Sequence, residues 1–152
     1  MQVVEDLLNH KGRAVWSIAP EASVHEAARS MCERNIGAIL VCRGKHAVGI
    51  LSERDCIRRV MLDGRSPHEV RVADVMSRDV SSVTTRDSVN HCMQRMTDER
   101  LRHLPVIEQD EVVGIVSIGD VVRAVLSEQA QLISGLESYI HGTSASVYPP
   151  SP

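Results

Sequence analysis

Two short segments of the chain share a pattern that is suited to recognising a sugar phosphate. Ser52 is followed three residues later by Asp55, Ser117 is followed by Asp120, and each serine comes directly after a glycine and two apolar residues. A carboxylate accepts hydrogen bonds from both cis hydroxyls of a ribose, and a serine at a helix N-terminus lies beside backbone N–H groups that stabilise an anion. The same pattern is also typical of a capping box, which only begins a helix.

Basic residues near these segments favour binding, because a helix cap does not require them. Arg54 lies inside the first segment, Arg102 lies ahead of the second, and Lys11 precedes the first half of the chain. Arginine makes charge-assisted hydrogen bonds to phosphate, and lysine supplies a point charge. His103 is expected either beside a phosphate at the mouth of a cleft or over the edge of the core.

The two segments belong to an internal repeat with a constant offset. Residues 49–55 return as residues 114–120, which is a shift of 65 positions, and the match continues without a gap on both sides. Solenoid repeats are usually about 20 to 50 residues long and need roughly three copies to bury a core. Two longer copies therefore indicate two small units packed face to face with pseudo-two-fold symmetry.

The copies differ in where their positive charge falls. Arg102 stands at the position of Gly37 in the first copy, and Gly119 stands at the position of Arg54. We therefore predict one basic residue in each cleft, supplied from a different element. Such clefts would bind phosphates differently, so we expect two sites of unequal affinity.

Hydrophobic periodicity and turn residues predict the order β-α-β-β-α in each copy, which is an α/β (α+β) fold. Gly37 is expected to end the first long helix, and Gly49 and Gly114 are expected to mark a strand bulge or a close approach. The predicted strands are residues 15–18, 38–42 and 46–51, then 81–83, 104–108 and 112–116; the predicted helices are residues 23–34 and 52–62, then 88–99 and from 117 onward.

The ends of the chain have no counterpart in the repeat. Residues 3–8 are typical of a short leading helix, and the last helix is expected to continue to residue 140. Residues 143–152 are small, polar and proline-rich, which predicts a mobile tail. The predicted organisation is a lead-in at 1–14, a first unit at 15–64, a linker with some structure at 65–79, a second unit at 80–142, and a tail at 143–152.

Composition argues against several classes of protein. Apolar residues make up 43% and charged residues 24%, as in an ordinary folded domain, and the net charge is −3 with basic residues scattered. A nucleic-acid partner is therefore not expected. The N-terminus is acidic and no apolar stretch approaches the roughly 18 residues of a membrane span, so we predict a cytoplasmic protein without membrane contact.

The cysteines and histidines give no sign of a metal site. Cys32, Cys42, Cys56 and Cys92 fall within predicted helices and strands without C-x-x-C spacing, which favours buried, reduced thiols. The histidines show no ligand spacing either. We therefore predict no metal requirement.

The repeated junction and the unit order resemble a pair of CBS domains, also called a Bateman module. The resemblance covers about residues 11–126 and rests on two glycine–apolar–apolar–Ser-x-x-Asp junctions at one offset. Residues 102–106, Arg-His-Leu-Pro-Val, and residues 52–55 are similar to those of small free-standing bacterial CBS pairs. The first half departs from the pattern, because Leu40 stands where the second half has Pro105.

The resemblance implies regulatory binding of an adenine nucleotide in the cleft between the units: AMP, ADP, ATP or NAD, with S-adenosylmethionine as an alternative. Asp55 and Asp120 would bind ribose, and Ser52 and Ser117 would lie near phosphate. With only 2% aromatic residues, the base would lie between aliphatic side chains and peptide planes. The complete predicted binding set is Lys11, Trp16, Ile36, Gly37, Ala38, Ser52, Arg54, Asp55, Ser81, Leu101, Arg102, His103, Leu104, Pro105, Ser117, Gly119 and Asp120.

Three classes of function are compatible with these residues. The first is a nucleotide sensor that acts through a target protein, the second is a dimerising adaptor that has lost its ligand, and the third is an enzyme. No catalytic constellation or glycine-rich phosphate loop is predicted, so we expect no catalysis. A homodimer is expected through exposed apolar faces on the second helix of each unit, at residues 57, 60 and 61 and at residues 121, 122 and 125.

Overall fold

The computed structural model describes residues 2–147, with side chains described for residues 2–141. It contains two small units related by the repeat, a helix before them and a long helix at the end. In chain order the elements are α1 (Val4–Lys11), β1 (Ser17–Ile18), α2 (Val24–Arg34), β2 (Ala38–Arg43), β3 (His46–Ser52), α3 (Glu53–Cys56) continuing into a π-helical turn (Ile57–Met61), α4 (Val72–Val75), α5 (Val89–Glu99), β4 (His103–Glu108), β5 (Glu111–Ser117) and α6 (Ile118–Val147).

The first unit is a three-stranded sheet with helices packed against it. Strand β1 pairs with β2 in parallel, and β2 pairs with β3 in an antiparallel hairpin. The core of this unit contains Val24 and Met31 from α2, Leu51 from β3 and Val60 from the π-helical turn. Val72 from α4 is also fully buried there, so the segment predicted as a linker supplies part of the core.

The second unit retains the β4–β5 hairpin but not the predicted strand at residues 81–83. Only an isolated parallel bridge joins Val83 to Val106. In the first unit β1 pairs at Leu40, whereas Pro105 stands at the equivalent position of the second unit. Proline has no N–H to donate, so the ladder cannot extend to Ser81. The strand prediction was wrong for this reason.

The two α2-type helices begin as predicted and end differently. The hydroxyl oxygens of Ser23 and Ser88 accept hydrogen bonds from the backbone amides of the third residues that follow, at 3.1 and 3.0 Å. Both helices end at a residue in the left-handed conformation, Asn35 at φ 54° and Arg100 at φ 56°. The first helix therefore ends two residues before Gly37, the residue that was expected to end it.

Gly49 and Gly114 lie where the backbone comes close to other elements. A Cβ atom at Gly49 would lie 2.5 Å from Met76 Sδ and 2.8 Å from the carbonyl oxygen of Ser77. At Gly114 it would lie 2.6 Å from Leu8 Cδ2. Each glycine also lies beside a register shift in its hairpin. The prediction of a bulge or a close approach is confirmed at both positions.

Both terminal helices are longer than predicted. Helix α1 runs to Lys11 and packs on the second unit, where Val4, Leu7 and Leu8 join the core. Helix α6 runs to Val147, so residues 143–147 are helical and do not belong to a tail. The rest of the predicted tail, residues 148–152, lies outside the described residues. Within residues 2–147, no helix combines the length and the hydrophobicity that a membrane span requires.

The two units pack through their hairpins. A small apolar cluster of Leu40, Cys42 and Val112 lies between them. The amide of Val112 donates to the carbonyl of Lys45 at 2.8 Å, and the ring nitrogen Nδ1 of His46 lies 2.9 Å from the carbonyl oxygen of Asp110. Cys32 is exposed, which corrects the expectation that all four thiols are buried, and the four cysteines are free.

Candidate functional site

The two Ser-x-x-Asp segments form the same local structure. Ser52 Oγ accepts a hydrogen bond from the Asp55 amide at 3.0 Å, and Asp55 Oδ2 accepts one from the Ser52 amide at 3.0 Å. The corresponding distances at Ser117 and Asp120 are 3.1 and 2.8 Å. Both segments are therefore complete capping boxes, which begin α3 and α6 and fix the position of each carboxylate.

The surroundings of the two carboxylates differ. Lys11 Nζ lies 2.6 Å from Asp120 Oδ2 and donates to the Ile115 carbonyl at 2.8 Å, while Arg123 Nη2 lies 2.9 Å from Asp120 Oδ1. Asp120 is 9% exposed, so this is a largely buried ion pair. Among the described residues, Asp55 has no cationic partner, and its Oδ1 atom has no hydrogen bond.

Burial, hydrogen bonds and a neighbouring charge act together on the pKa of Asp120. Burial of Asp120 acts to raise the pKa of its carboxyl group, but hydrogen bonds from Lys11 and Ser117, together with the charge of Lys11, outweigh it. The net effect is a pKa below the ordinary value. Asp120 is therefore a carboxylate at neutral pH and already has two cationic partners.

A polar cleft, here called the first cleft, opens beside the Ser52 junction and is lined by both units. Its volume is about 340 Å³. Three guanidinium groups line it, those of Arg54, Arg100 and Arg102, with one carboxylate, Glu53. The other lining residues are Gly37, Ala38, Ile50, Ser52, Leu101 and His103.

The grouping of these arginines corrects the prediction of one basic residue per cleft. Arg54 is the second residue of α3 in the first unit, whereas Arg102 follows α5 of the second unit, and the packing of the units brings both to the first cleft. In the described part of the chain, neither these two side chains nor that of Arg100 forms an ion pair or a hydrogen bond. All three are exposed to solvent.

A narrow apolar slot adjoins the first cleft. It measures about 30 Å³ and shares Ala38, Ile50 and His103 with the cleft. Trp16 forms one wall, is 41% exposed, and has the guanidinium carbon of Arg34 5.0 Å from the centroid of its ring. The remaining lining residues are Ile36, Leu40, Pro105 and Ile115. The packing thus places Trp16, Ile36 and Pro105 of the predicted set beside the first cleft.

The Asp120 carboxylate lines a separate pocket, here called the α1–α6 pocket. Its volume is about 320 Å³ and Lys11 and Arg123 contribute its positive charge, against Asp6 and Asp120. Gln2, Leu7, His10, Ala124 and Ser127 complete its lining. The structure therefore separates Lys11 and Asp120 from the arginines of the first cleft.

Five residues of the predicted set line neither the two openings nor the apolar slot: Asp55, Ser81, Leu104, Ser117 and Gly119. The Ser81 hydroxyl donates to Glu99 Oε1 at 2.9 Å, and Leu104 is fully buried in the core of the second unit. Ser117 caps α6, and a Cβ atom at Gly119 would lie 3.4 Å from Arg123 Nη1. The side chain of Leu104 therefore packs in the core of the second unit, and its place in the binding set stays a prediction.

His103 lines both the first cleft and the apolar slot. Burial lowers the pKa of its imidazole, and the charges of Lys11 and Arg102 lower it further, against an opposing effect of Asp120. The ring is therefore neutral at pH 7 and lies between the two groups of charges. Both positions expected for His103 are compatible with this placement. The ring lies at a cleft that could hold a phosphate, and, being half-buried, it also covers the edge of the apolar slot.

Sequence reasoning missed four charged residues of these openings: Asp6, Glu53, Arg100 and Arg123. Glu53 lies inside the first Ser-x-x-Asp segment, and Arg123 follows Asp120 at the i+3 spacing of a helical neighbour. Arg100 has a weaker signal, since it occupies the helix-ending position that Asn35 has in the first unit. The repeat offset would have identified that position.

The fold and the paired junctions are those of a tandem CBS module, and comparison with known proteins agrees. The model of the CBS domain family matches residues 4–62 and 72–127, so the chain belongs to this family. The chain is 36% identical over 149 residues to the mitochondrial CBS domain-containing protein CBSX3 of Arabidopsis thaliana, covering 91% of this chain and 72% of that protein. It is 32% identical over 116 residues to YhcV of Bacillus subtilis, covering 76% and 82%.

Solved structures show the same fold. A putative signal-transduction protein with CBS domains from Burkholderia ambifaria is 37% identical, with a TM-score of 0.76, over 84% of this chain and 96% of that one. The CBS domain protein PAE2072 from Pyrobaculum aerophilum, complexed with AMP, is 25% identical, with a TM-score of 0.70, over 86% and 99%. The predicted tandem CBS fold is confirmed. The cytoplasmic location stays a prediction.

Proposed function

We propose that this chain is a regulatory module that binds an adenine nucleotide in the first cleft. The observation that supports the proposal is the set of three arginines, Arg54, Arg100 and Arg102, which line one opening between the two units and have no side-chain partner among the described residues. Several like charges around one opening favour an anion there. A phosphate chain would supply that anion.

The neighbouring residues suit the other parts of a nucleotide. Asp55 has a free carboxylate oxygen that can accept ribose hydroxyls, and the capping box holds it in place. The amides of Glu53 and Asp55 at the start of α3 already donate to the Gly37 carbonyl and to Ser52 Oγ, so the phosphates would be bound by the arginines. The base would enter the apolar slot, where the exposed Trp16 can move aside to widen it.

The charge of the cleft favours some ligands over others. Three arginines and one glutamate give a formal charge of +2 around about 340 Å³. Three guanidinium groups offer more hydrogen-bond donors than one phosphate accepts, which suits ADP, ATP or the diphosphate of NAD better than the single phosphate of AMP. S-adenosylmethionine, which carries a sulfonium cation, is disfavoured. AMP is the nucleotide in the PAE2072 complex, and it would fill only part of this phosphate site.

The role of binding would be regulatory, because proteins of this family typically regulate and do not catalyse. A ligand that bridges the two units would stabilise one arrangement of them, and a target protein would respond to that arrangement. No metal is needed for this role, since guanidinium groups neutralise the phosphates. We propose no catalytic residue.

Thermal unfolding with a ligand series tests this proposal. Adenosine, AMP, ADP, ATP, NAD and S-adenosylmethionine are each added to the wild-type protein, to Arg102→Ala and to Arg58→Ala, an exposed arginine outside the first cleft. At about 100 times the dissociation constant a ligand adds about 2.7 kcal/mol of stability. We expect the largest shift with a diphosphate or triphosphate, a smaller one in Arg102→Ala, and no loss in Arg58→Ala. No shift with any of these compounds would contradict the proposal.

A ligand-free adaptor is the second candidate, and one observation favours it. Both junctions are complete capping boxes without a ligand, and Asp120 has two cationic partners within the chain. The module could therefore be stable when empty and act only by associating with other proteins. The same ligand series separates the candidates, because an adaptor gives no shift.

A further inference from the structure

Lys11 brings a cation into the second junction from outside the repeat. It is the last residue of α1, its ammonium nitrogen lies 2.6 Å from Asp120 Oδ2, and it donates to the Ile115 carbonyl at 2.8 Å. The repeat makes Ile115 the equivalent of Ile50, which lines the first cleft. Asp120 is likewise the equivalent of Asp55. The ammonium therefore lies between two groups whose equivalents belong to the first junction.

Helix α1 holds Lys11 at this place through residues other than Lys11 itself. Val4, Leu7 and Leu8 are buried in the core of the second unit. The side chain of Lys11 lies outside that core and is 31% exposed. A lysine side chain is a flexible four-carbon stem that ends in a point charge. The ammonium can therefore leave Asp120 by rotation of its own side chain, while α1 stays packed on the second unit.

Asp120, by contrast, is fixed in place. The capping box with Ser117 holds its carboxylate, and Val121, the next residue, is fully buried in the core of the second unit. The burial of Val121, like that of Val60 in the first unit, also corrects the expectation that these side chains face a second chain. Any exchange at the second junction therefore requires Lys11 to leave and another group to take its place.

The second junction lacks the arginines of the first cleft. The positions equivalent to Arg54, Arg100 and Arg102 are occupied by Gly119, Asn35 and Gly37. A phosphate would find no guanidinium group at these positions, whereas ribose hydroxyls can donate to Asp120 once Lys11 has left. The α1–α6 pocket is lined by both of these residues, and its volume of about 320 Å³ provides room for a small molecule.

We propose that Lys11 is a displaceable internal ligand of the second junction, and that an uncharged nucleoside takes its place beside Asp120. The ribose hydroxyls donate to Asp120 Oδ2 in place of the ammonium, and the Lys11 side chain turns to solvent. Arg123, which lies 2.9 Å from Asp120 Oδ1, keeps the carboxylate paired during the exchange. This inference rests on the proposed function, because it takes the first cleft as the nucleotide site.

Competition between Lys11 and the ligand lowers the affinity of the second junction. When only a fraction of the molecules can bind, the apparent affinity is reduced by that fraction. Minor conformations of proteins are typically populated at about 10% or less, so removal of the ammonium should raise the apparent affinity about 10-fold or more. Asp55 has no cationic partner among the described residues, so the affinity of the first cleft should not change.

Isothermal titration with two ligands in succession tests the exchange. Each protein is titrated with ADP until the first cleft is saturated, and adenosine is then added. The proteins are the wild type, Lys11→Met and Lys45→Met, which changes the other lysine of the chain, exposed at a hairpin turn. We expect one ADP per chain in all three, which also shows that Lys11→Met is folded. One adenosine per chain should then bind Lys11→Met about 10-fold or more tightly than the wild type or Lys45→Met.

The outcomes separate this inference from the proposed function. Equal adenosine affinity in the three proteins, or no adenosine binding to any of them, would overturn the inference and leave the first cleft as the nucleotide site. Absence of ADP binding to the wild type would contradict the proposed function and this inference with it. A second ADP in Lys11→Met would overturn the assignment of an uncharged ligand. Adding Asp120→Asn to Lys11→Met should remove the gain in adenosine affinity, and a gain that persists would exclude Asp120 as the group that binds the ribose.

Discussion

The Ser52–Asp55 and Ser117–Asp120 junctions have the same local fold and different electrostatic surroundings. Both are capping boxes with hydrogen bonds of 2.8 to 3.1 Å. Asp120 is buried and bound by Lys11 and Arg123, whereas Asp55 has no cationic partner among the described residues and follows Ser52, Glu53 and Arg54, which line the cleft with three arginines. The repeat therefore produces the same local backbone structure twice. Neighbouring elements then determine whether its carboxylate is bound by cations of the same chain.

The largest expected difference between the junctions is in stability. Asp120→Ala should lower the free energy of unfolding by about 2 to 3 kcal/mol, because it removes a cap and leaves Lys11 without its partner. Asp55→Ala should lower it by about 1 kcal/mol, since only the cap is lost. Urea unfolding at pH 7 measures both values. Equal losses of unfolding free energy in the two variants would show that the contact of Lys11 with Asp120 does not stabilise the second junction.

The two strand glycines should differ by a smaller amount. A Cβ atom at Gly49 meets the backbone carbonyl of Ser77 at 2.8 Å, whereas at Gly114 it meets the terminal carbons of the Leu8 side chain. Backbone atoms cannot move aside as side-chain atoms can. We therefore expect Gly49→Ala to lower the free energy of unfolding by about 2 to 3 kcal/mol and Gly114→Ala to lower it by about 1 kcal/mol. Thermal unfolding of both variants gives the comparison. A larger loss of stability in Gly114→Ala than in Gly49→Ala would contradict this expectation, because it would mean that the Leu8 side chain cannot move aside.

The smallest predicted difference concerns acid sensitivity. His103 has a lowered pKa in the folded protein, so the unfolded chain binds its proton first as the pH falls. Stability should therefore decrease as the pH falls below about 6.5 towards the lowered pKa of the folded state, by less than about 1 kcal/mol. The equivalent residue of the first unit is Ala38, which does not titrate. Urea unfolding between pH 7.5 and 5.5 should show a weaker pH dependence for His103→Gln, and an unchanged one would exclude His103 as the cause.

Much of the fold follows from patterns that are local in the chain. The repeat offset, the capping serines and the alternation of apolar residues predicted the two hairpins and the helices between them. The strand at residues 81–83 could not be predicted from its own residues, because the proline that prevents it is Pro105 in a neighbouring strand. The length of α6 also escaped prediction, since small polar residues near its end weaken the helical pattern.

The site was predictable only in part, because it is formed between units. Ser52, Arg54, Arg102 and His103 line the first cleft, and their role in binding stays a prediction, because the sequence does not state which cleft each arginine faces. That assignment depends on how the two units pack. The contact of Lys11 with Asp120 depends in the same way on α1 docking against the second unit, 109 residues away in the chain.

The first junction, and not the second, is proposed as the principal nucleotide site. Isothermal titration of the wild type, Asp55→Asn and Asp120→Asn with ADP distinguishes the two junctions, because asparagine keeps the cap oxygen and removes only the charge. We expect a principal site of one ADP per chain, with affinity about 10-fold or more weaker in Asp55→Asn and unchanged in Asp120→Asn. Weakened binding in Asp120→Asn with unchanged binding in Asp55→Asn would contradict it.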